Sequence, residues 1–187
     1  MNMPFKTDIE AIRNRARKRM EDGPVTDAYK ADRERVIDVL QQILATELVC
    51  NLRYRNHYFM ASGIMSQPVA DEFLEHANEE QQHADLVAKR ITQLGGNPDF
   101  SPESLRKRSH AEYSAGHSLA DMIAENLVAE RVAIETYSEI VRWLGDSDST
   151  TRTMVEGILR QEEEHADDLA GLLDRVDADT ARLVARA

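Results

Sequence analysis

Glu80 and His83 stand three residues apart, and Glu162 and His165 repeat the spacing. On a helix this puts both side chains on one face, so each pair can present an oxygen and a nitrogen to the same point. The helical stripe Val69, Phe73, His76, Glu80, His83, Val87, Leu94 carries the first pair, and Val155, Ile158, Glu162, His165, Leu169, Leu172, Val176 carries the second. Two further stripes each hold a carboxylate where the period predicts an aliphatic residue: Leu40, Leu44, Glu47, Asn51, Tyr54, Tyr58 and Ile123, Leu127, Glu130, Ile134, Tyr137, Val141, Leu144. Four carboxylates in one interior lose hydration worth several kcal/mol each and repel one another. Two divalent cations supply four balancing charges while neutral imidazoles fill further positions, so a dimetal centre held by Glu47, Glu80, His83, Glu130, Glu162 and His165 is the chemistry this set allows. Glu47 and Glu130 would bridge or flank the ions.

The chain repeats itself around these residues. LATELVCNLRY, from Leu44 to Tyr54, resembles LVAERVAIETY, from Leu127 to Tyr137, and EQQHADL from Glu80 resembles EEEHADDL from Glu162. The offsets are 83 residues from Glu47 to Glu130 and 82 from Glu80 to Glu162, which implies an approximate two-fold axis through the centre. Tyr54 and Tyr137 follow Glu47 and Glu130 by two turns, within reach of a ligand, and Tyr54 is the candidate for a catalytic role as hydrogen-bond or electron donor. Asn51 is a candidate to support a ligand. His76, one turn before Glu80, reads as a core histidine or as part of an ion path. His57, His110 and His117 fall near solvated stretches and receive no role. Glu75, Glu79, Glu163, Glu164, Asp167 and Asp168 read as solvated faces, with the Met residues and Trp143 as packing.

Four long helices position these groups. Pro and Gly cluster at joints, so helices are predicted over about 31–62, 68–94, 118–144 and 149–176. Residues 97–117 make a connection too long for a hairpin and suited to a crossover along a bundle. The fold class is therefore all-α, a four-helix bundle over residues 31–176 with an N-terminal extension over 1–30, basic and partly helical or disordered, and a tail or short helix over 177–187.

Only five Pro and eight Gly among 187 residues favour helix in one domain. The lone Cys50 cannot form an intrachain disulfide, and with no signal-like N-terminus a reducing cytoplasm is expected. No apolar run is long enough to span a membrane. The net charge of −11 is uneven: residues 1–20 hold six bases against two acids, a local +4 that leaves −15 on the remainder. The body attracts cations, and the arm offers contact to nucleic acid or packing on a neighbour.

With these motifs in place, the chain from Ala31 to Val176 resembles the ferritin-like superfamily, specifically bacterioferritins and Dps-like ferritins with a bacterioferritin type of site. The resemblance implies a ferroxidase that binds two Fe ions per subunit, with Mn or Zn as substitutes, at Glu47, Glu80, His83, Glu130, Glu162 and His165. It further implies oxidation by O2 or H2O2 and storage of the mineral in a homo-oligomeric shell of 12 or 24 subunits. Animal ferritins lack the second Glu-x-x-His. Gln81 stands where haem-binding bacterioferritins carry a Met, so haem through that ligand is not expected. The long N-terminal extension leaves the shell geometry open. Alternatives are a di-metal enzyme such as a manganese catalase, a peroxidase or an oxygenase, and a DNA-protecting shell using the basic arm. A rubrerythrin would need a cysteine-bound iron module that one cysteine cannot build.

Overall fold

The computed structural model describes residues 6–63 and 66–184, with side chains described as far as residue 176. Among these residues there are helices and no strands: α1 (Ile9–Ala16), α2 (Arg33–Met60), α3 (Ser66–Gln93), α4 (Pro102–Arg108), α5 (Leu119–Leu144) and α6 (Ser149–Val184), with a 3-10 turn over Met20–Asp22. The start signals are local. The Asp32 side chain accepts from the Arg35 amide at 3.1 Å, and the Ser118 hydroxyl accepts from the Asp121 amide at 3.1 Å, capping α2 and α5. Asp121 returns the bond by accepting from the His117 amide at 2.7 Å. The stop of α3 is Gly95, at φ +82°, a left-handed conformation in which the next amide, Gly96, donates back to Ile91 O at 2.9 Å.

Residue contacts fix the topology. Tyr54 meets Glu130 and Tyr137 meets Glu47, so α2 and α5 are antiparallel. Glu79 meets His165 and Arg90 meets Asp148, so α3 and α6 are antiparallel too. The connection from α3 to α5 must therefore travel the length of the bundle. Its short helix α4 lies on α2, with Leu105 among Ala45, Leu48 and Val49. Arg108 holds it there by donating to the carbonyl oxygens of Gln41 and Asp99, both at 2.9 Å.

Two apolar clusters fill the bundle. One gathers Leu40, Ile43, Leu44, Val87, Ile91, Val155 and Ile158; the other gathers Val69, Phe73, Met122, Ile123, Leu169 and Leu172. The stretch between them carries the inward polar residues, so each end of that stretch is closed by aliphatic and aromatic side chains.

Two boundaries differ from the sequence reading. The last helix continues to Val184, because no Gly or Pro follows Val176 to stop it; residues 185–187 of the expected tail lie outside the described residues. The expected N-terminal extension is not uniform. In α1 no residue is buried, but Val25 is buried against the first apolar cluster and Tyr29 donates to Asp148 Oδ2 at 3.0 Å.

Candidate metal centre

The six sequence-derived residues converge at the middle of the bundle. Glu47, Glu80, His83, Glu130, Glu162 and His165 are each at most 3 % exposed. They form two groups, Glu47, Glu80, His83, Glu162 and Glu80, Glu130, Glu162, His165, each with ligand atoms within 4.8 Å of one another. Glu80 and Glu162 belong to both. The geometry thus makes those two the shared carboxylates, with Glu47 beside His83 and Glu130 beside His165 as the outer ones. Glu47 and Glu130 each belong to one group only. The reason is helix direction: because α2 and α5 are antiparallel, each outer glutamate is level with the opposite tyrosine, about two turns from its counterpart, or roughly 10 Å along the axis.

Both imidazoles turn Nδ1 inward. His83 Nδ1 lies 3.3 Å from Glu47 Oε2 and 3.2 Å from Glu162 Oε1, and His165 Nδ1 lies 3.3 Å from Glu162 Oε2 and 3.7 Å from Glu80 Oε1. Their outer nitrogens donate to fixed acceptors, His83 Nε2 to Gln161 Oε1 at 3.0 Å and His165 Nε2 to Glu79 Oε2 at 2.8 Å. Such a contact selects the tautomer whose lone pair faces the centre. Glu79 and Gln161 each precede a shared glutamate by one residue and are 82 residues apart, so the repeat extends to these supports. Sequence reasoning assigned Glu79 to a solvated face and passed over Gln161; both are polar at a helix boundary between inside and outside, where periodicity gives no signal.

The tyrosines cross the axis. Tyr54 donates to Glu130 Oε1 and Tyr137 donates to Glu47 Oε1, so each serves the carboxylate of the other half of the repeat. Asn51, the expected support, instead donates to Ala77 O at 2.5 Å and fastens α2 to α3.

Electrostatics split the four carboxyls into two kinds. Burial, then the nearby Glu80 charge, pushes Glu47 up to about 8, and burial with Glu80 and Glu162 pushes Glu130 well above the usual carboxylate range. Burial also opposes the charge on Glu80 and Glu162, but the imidazoles beside them outweigh it and hold both below the ordinary value. His83 and His165 are raised in return, against burial, by the carboxylates around them, His165 to about 12. Without cations, Glu47 and Glu130 are thus biased towards the protonated acid and Glu80 and Glu162 towards the carboxylate.

That division does not satisfy the polar atoms. Glu80 Oε1, Glu130 Oε2, both oxygens of Glu162 and His165 Nδ1 are buried with no hydrogen-bond partner. Buried polar atoms are nearly always paired. Five orphans facing one point, oxygens and an imidazole nitrogen together, fit a pair of divalent cations with mixed oxygen and nitrogen preference.

One network was not foreseen. Arg53, 1 % exposed, donates to Asn126 Oδ1 at 2.7 Å and Glu112 O at 2.9 Å. His57, expected near solvent, is fully buried, because the crossover folds over it. Its Nδ1 accepts from the Asn126 amide at 2.9 Å and its Nε2 donates to Ser114 O at 3.0 Å. Burial, then the Arg53 charge, lowers its pKa, which keeps the ring neutral for this pair of bonds. His110 is half-buried, with contacts to Thr46 Oγ1 at 3.2 Å and Gln42 Oε1 at 3.2 Å. Together these residues bind the crossover to α2 beside the centre.

Fold and site define a class: four-helix proteins with a two-fold carboxylate and imidazole centre in the bundle core. Comparison with known proteins makes this specific. The ferritin-like domain matches residues 37–178, and the chain belongs to that family. A bacterioferritin of Mycobacterium avium is 25 % identical over 147 residues, covering 73 % of this chain and 84 % of its own. A DNA protection during starvation protein of Halobacterium salinarum is 28 % identical over 149 residues, covering 74 % and 80 %. Among solved structures, a dodecameric thioferritin, the bacterioferritin-related protein from Bacteroides fragilis, is 32 % identical at a TM-score of 0.78, covering 82 % of this chain and 92 % of its own.

Proposed function

We propose that this chain is a ferroxidase subunit of an iron-storing shell, with Glu47, Glu80, His83, Glu130, Glu162 and His165 as the ligands of two iron ions. The observation that carries the reading is the set of five buried polar atoms that make no hydrogen bond, at the meeting point of two overlapping four-residue groups. Two Fe(II) ions held there supply two electrons, which reduce O2 to H2O2 or H2O2 to water with uptake of two protons.

The protein's part is positional. Glu80 and Glu162 hold both sites at one spacing. Gln161 and Glu79 keep the histidine lone pairs aimed inward. Tyr54 and Tyr137 restrain the outer carboxylates, and Tyr54 is placed to deliver a proton or electron through Glu130, as Tyr137 is through Glu47. The apolar clusters at either end exclude bulk water. The similarity to a bacterioferritin-related dodecamer supports a closed shell of twelve copies, into which the oxidised iron passes.

Glu47→Ala and Glu162→Gln are the deciding variants. Each is expected to abolish fast Fe(II) oxidation, followed by stopped-flow absorbance, while circular dichroism still reports a helical bundle. Retention of the wild-type rate by both rules out the assignment.

A second reading has an observation of its own: α1 buries no residue and carries Arg13 and Arg15 in its last turn, placed to face phosphate. A shell that also coats DNA through this arm would lose salt-dependent DNA binding when residues 1–20 are deleted. Unchanged binding by the truncated protein removes that reading.

A further inference from the structure

Arg53 is a buried cation with, among the described residues, no anion of its own. It is 1 % exposed, and its hydrogen bonds go to Asn126 Oδ1 at 2.7 Å, Glu112 O at 2.9 Å and Cys50 Sγ at 3.6 Å. The first two acceptors are amide oxygens, and burial pushes the Cys50 thiol up, so the third is neutral as well. Arg90, also buried, pairs instead with Asp148 at 2.9 Å. A buried guanidinium without a touching carboxylate is costly, so its counter-charge must lie further off.

Position locates that charge. Arg53 Cζ lies 5.8 Å from the ring centroid of Tyr54, which donates to Glu130, and Asn126 precedes Glu130 by one turn of α5. Glu47 stands on α2 well before Arg53, roughly 9 Å away along the axis. The guanidinium is therefore nearer the Glu130 and His165 end of the centre than the Glu47 and His83 end. Burial opposes its charge, but Cys50, Tyr54, Glu130 and Glu80 outweigh burial and raise the Arg53 pKa above its ordinary value.

The internal repeat shows that helix packing does not require this charge. At the offset of 83 residues, Cys50, Arg53 and His57 correspond to Ala133, Thr136 and Ile140, and Asn126 corresponds to Ile43. Ile43, Ala133 and Ile140 pack in the first apolar cluster, and the Thr136 hydroxyl donates back to Val132 O at 2.7 Å. One end of the centre thus lies against aliphatic side chains and the other against a guanidinium. Two divalent ions balance four carboxylates without it, so Arg53 is an excess positive charge once the centre is loaded.

We propose that Arg53 weakens cation binding at the Glu130 and His165 end of the centre, which keeps that position exchangeable and favours departure of iron once it is oxidised. Repulsion by the guanidinium grows as Fe(II) becomes Fe(III). Glu79, Glu72 and Asp168 at the same end attract cations, but they are 31 %, 30 % and 56 % exposed and screened by solvent, whereas Arg53 is not. The weakening rests on the two-ion reading of the centre, and the release role rests in addition on the ferroxidase reading.

Anaerobic Co(II) titration, followed by visible absorption and calorimetry, measures both affinities without iron oxidation. A unit charge about one helical turn nearer to one divalent ion than to the other, at an effective dielectric of about 20, separates its effects on the two by about tenfold. Arg53→Gln and Arg53→Met remove the charge and are expected to tighten both ions, one about tenfold more than the other. Arg53→Lys keeps the charge, and Asn126→Ala keeps it while cutting the link to α5; both are expected to follow wild type. Unchanged affinities in the two neutral variants, or the same tightening in Arg53→Lys or Asn126→Ala, overturns the proposal. Fewer than two Co(II) in wild type overturns the two-ion reading and the proposal with it. For release, two Fe(II) per chain are oxidised and a second pair is added. Wild type is expected to recover its fast phase, and Arg53→Gln to recover it about tenfold more slowly. Equal recovery overturns the release role alone. No fast phase in wild type refutes the ferroxidase reading and leaves the Co(II) result standing.

Discussion

Glu47, Glu130, His83 and His165 all bind protons more tightly than usual in the cation-free centre, the two carboxyls raised by burial and the two imidazoles by neighbouring carboxylates. Two divalent cations must displace them, since each ligand atom carries either a proton or a metal. Loading the pair is therefore expected to release protons near neutral pH, and affinity should fall as pH falls, most steeply below the Glu47 value of about 8. Anaerobic calorimetry with Co(II) in buffers of different ionisation enthalpy measures the number; release of fewer than about one proton contradicts this charge distribution. The ligands themselves were legible in the sequence because each is a polar residue at a position where the helical period calls for an aliphatic one. Arg53, Asn126 and His57 were not. An arginine or asparagine on a helix reads as solvated unless the segment that covers it is known, and here the cover is the crossover, whose path no periodicity describes.

Among the elements, α6 depends most on a single residue. Asp148 precedes its first turn and accepts from the Thr151 amide at 2.9 Å, while also pairing with Arg90 at 2.9 Å and accepting from Tyr29. One carboxylate thus caps α6, neutralises a buried guanidinium on α3 and receives the N-terminal segment. Asp148→Ala removes a cap worth about 1 kcal/mol and strands the Arg90 charge, so a loss of about 3 kcal/mol in all is expected from urea unfolding at pH 7. Burial alone would raise the Asp148 pKa, but the Thr151 hydroxyl and amide, Tyr29 and Arg90 outweigh it and hold it below the ordinary carboxylate value. A depressed carboxylate stabilises above its unfolded pKa of about 4 and loses that contribution as pH falls through the lower folded value. The gap between wild type and variant should accordingly narrow in acid. Helix starts and stops were legible from Ser118, Gly95 and Gly145, which act locally, while α3 begins at Ser66, two residues ahead of the expected Pro68. The role of Asp148 was not, because Arg90 and Tyr29 come from 58 and 119 residues away.

At the scale of the molecule, the two-fold repeat explains the centre and its exceptions locate what was added. The docked part of the N-terminal segment is one such addition, with no counterpart in the second half. Val25 is buried against the first apolar cluster, and Tyr29 reaches Asp148 across the end of the bundle. The preceding helix α1 buries nothing. Charge reading treated residues 1–30 as one basic extension because charge dominates its first two-thirds and a single valine and tyrosine carry no periodic signal. Physically the segment has two parts, an exposed cationic arm and a strap that covers apolar surface. Deleting residues 1–20 should leave thermal stability unchanged, whereas deleting residues 1–31 exposes the valine pocket and removes a hydrogen bond to a half-buried phenol. That loss is about 2 kcal/mol, a fall in Tm of roughly 4–8 °C for a chain of this size. Differential scanning calorimetry on the two truncations decides between one extension and two parts: equal melting temperatures would mean that the strap adds nothing to the bundle it covers.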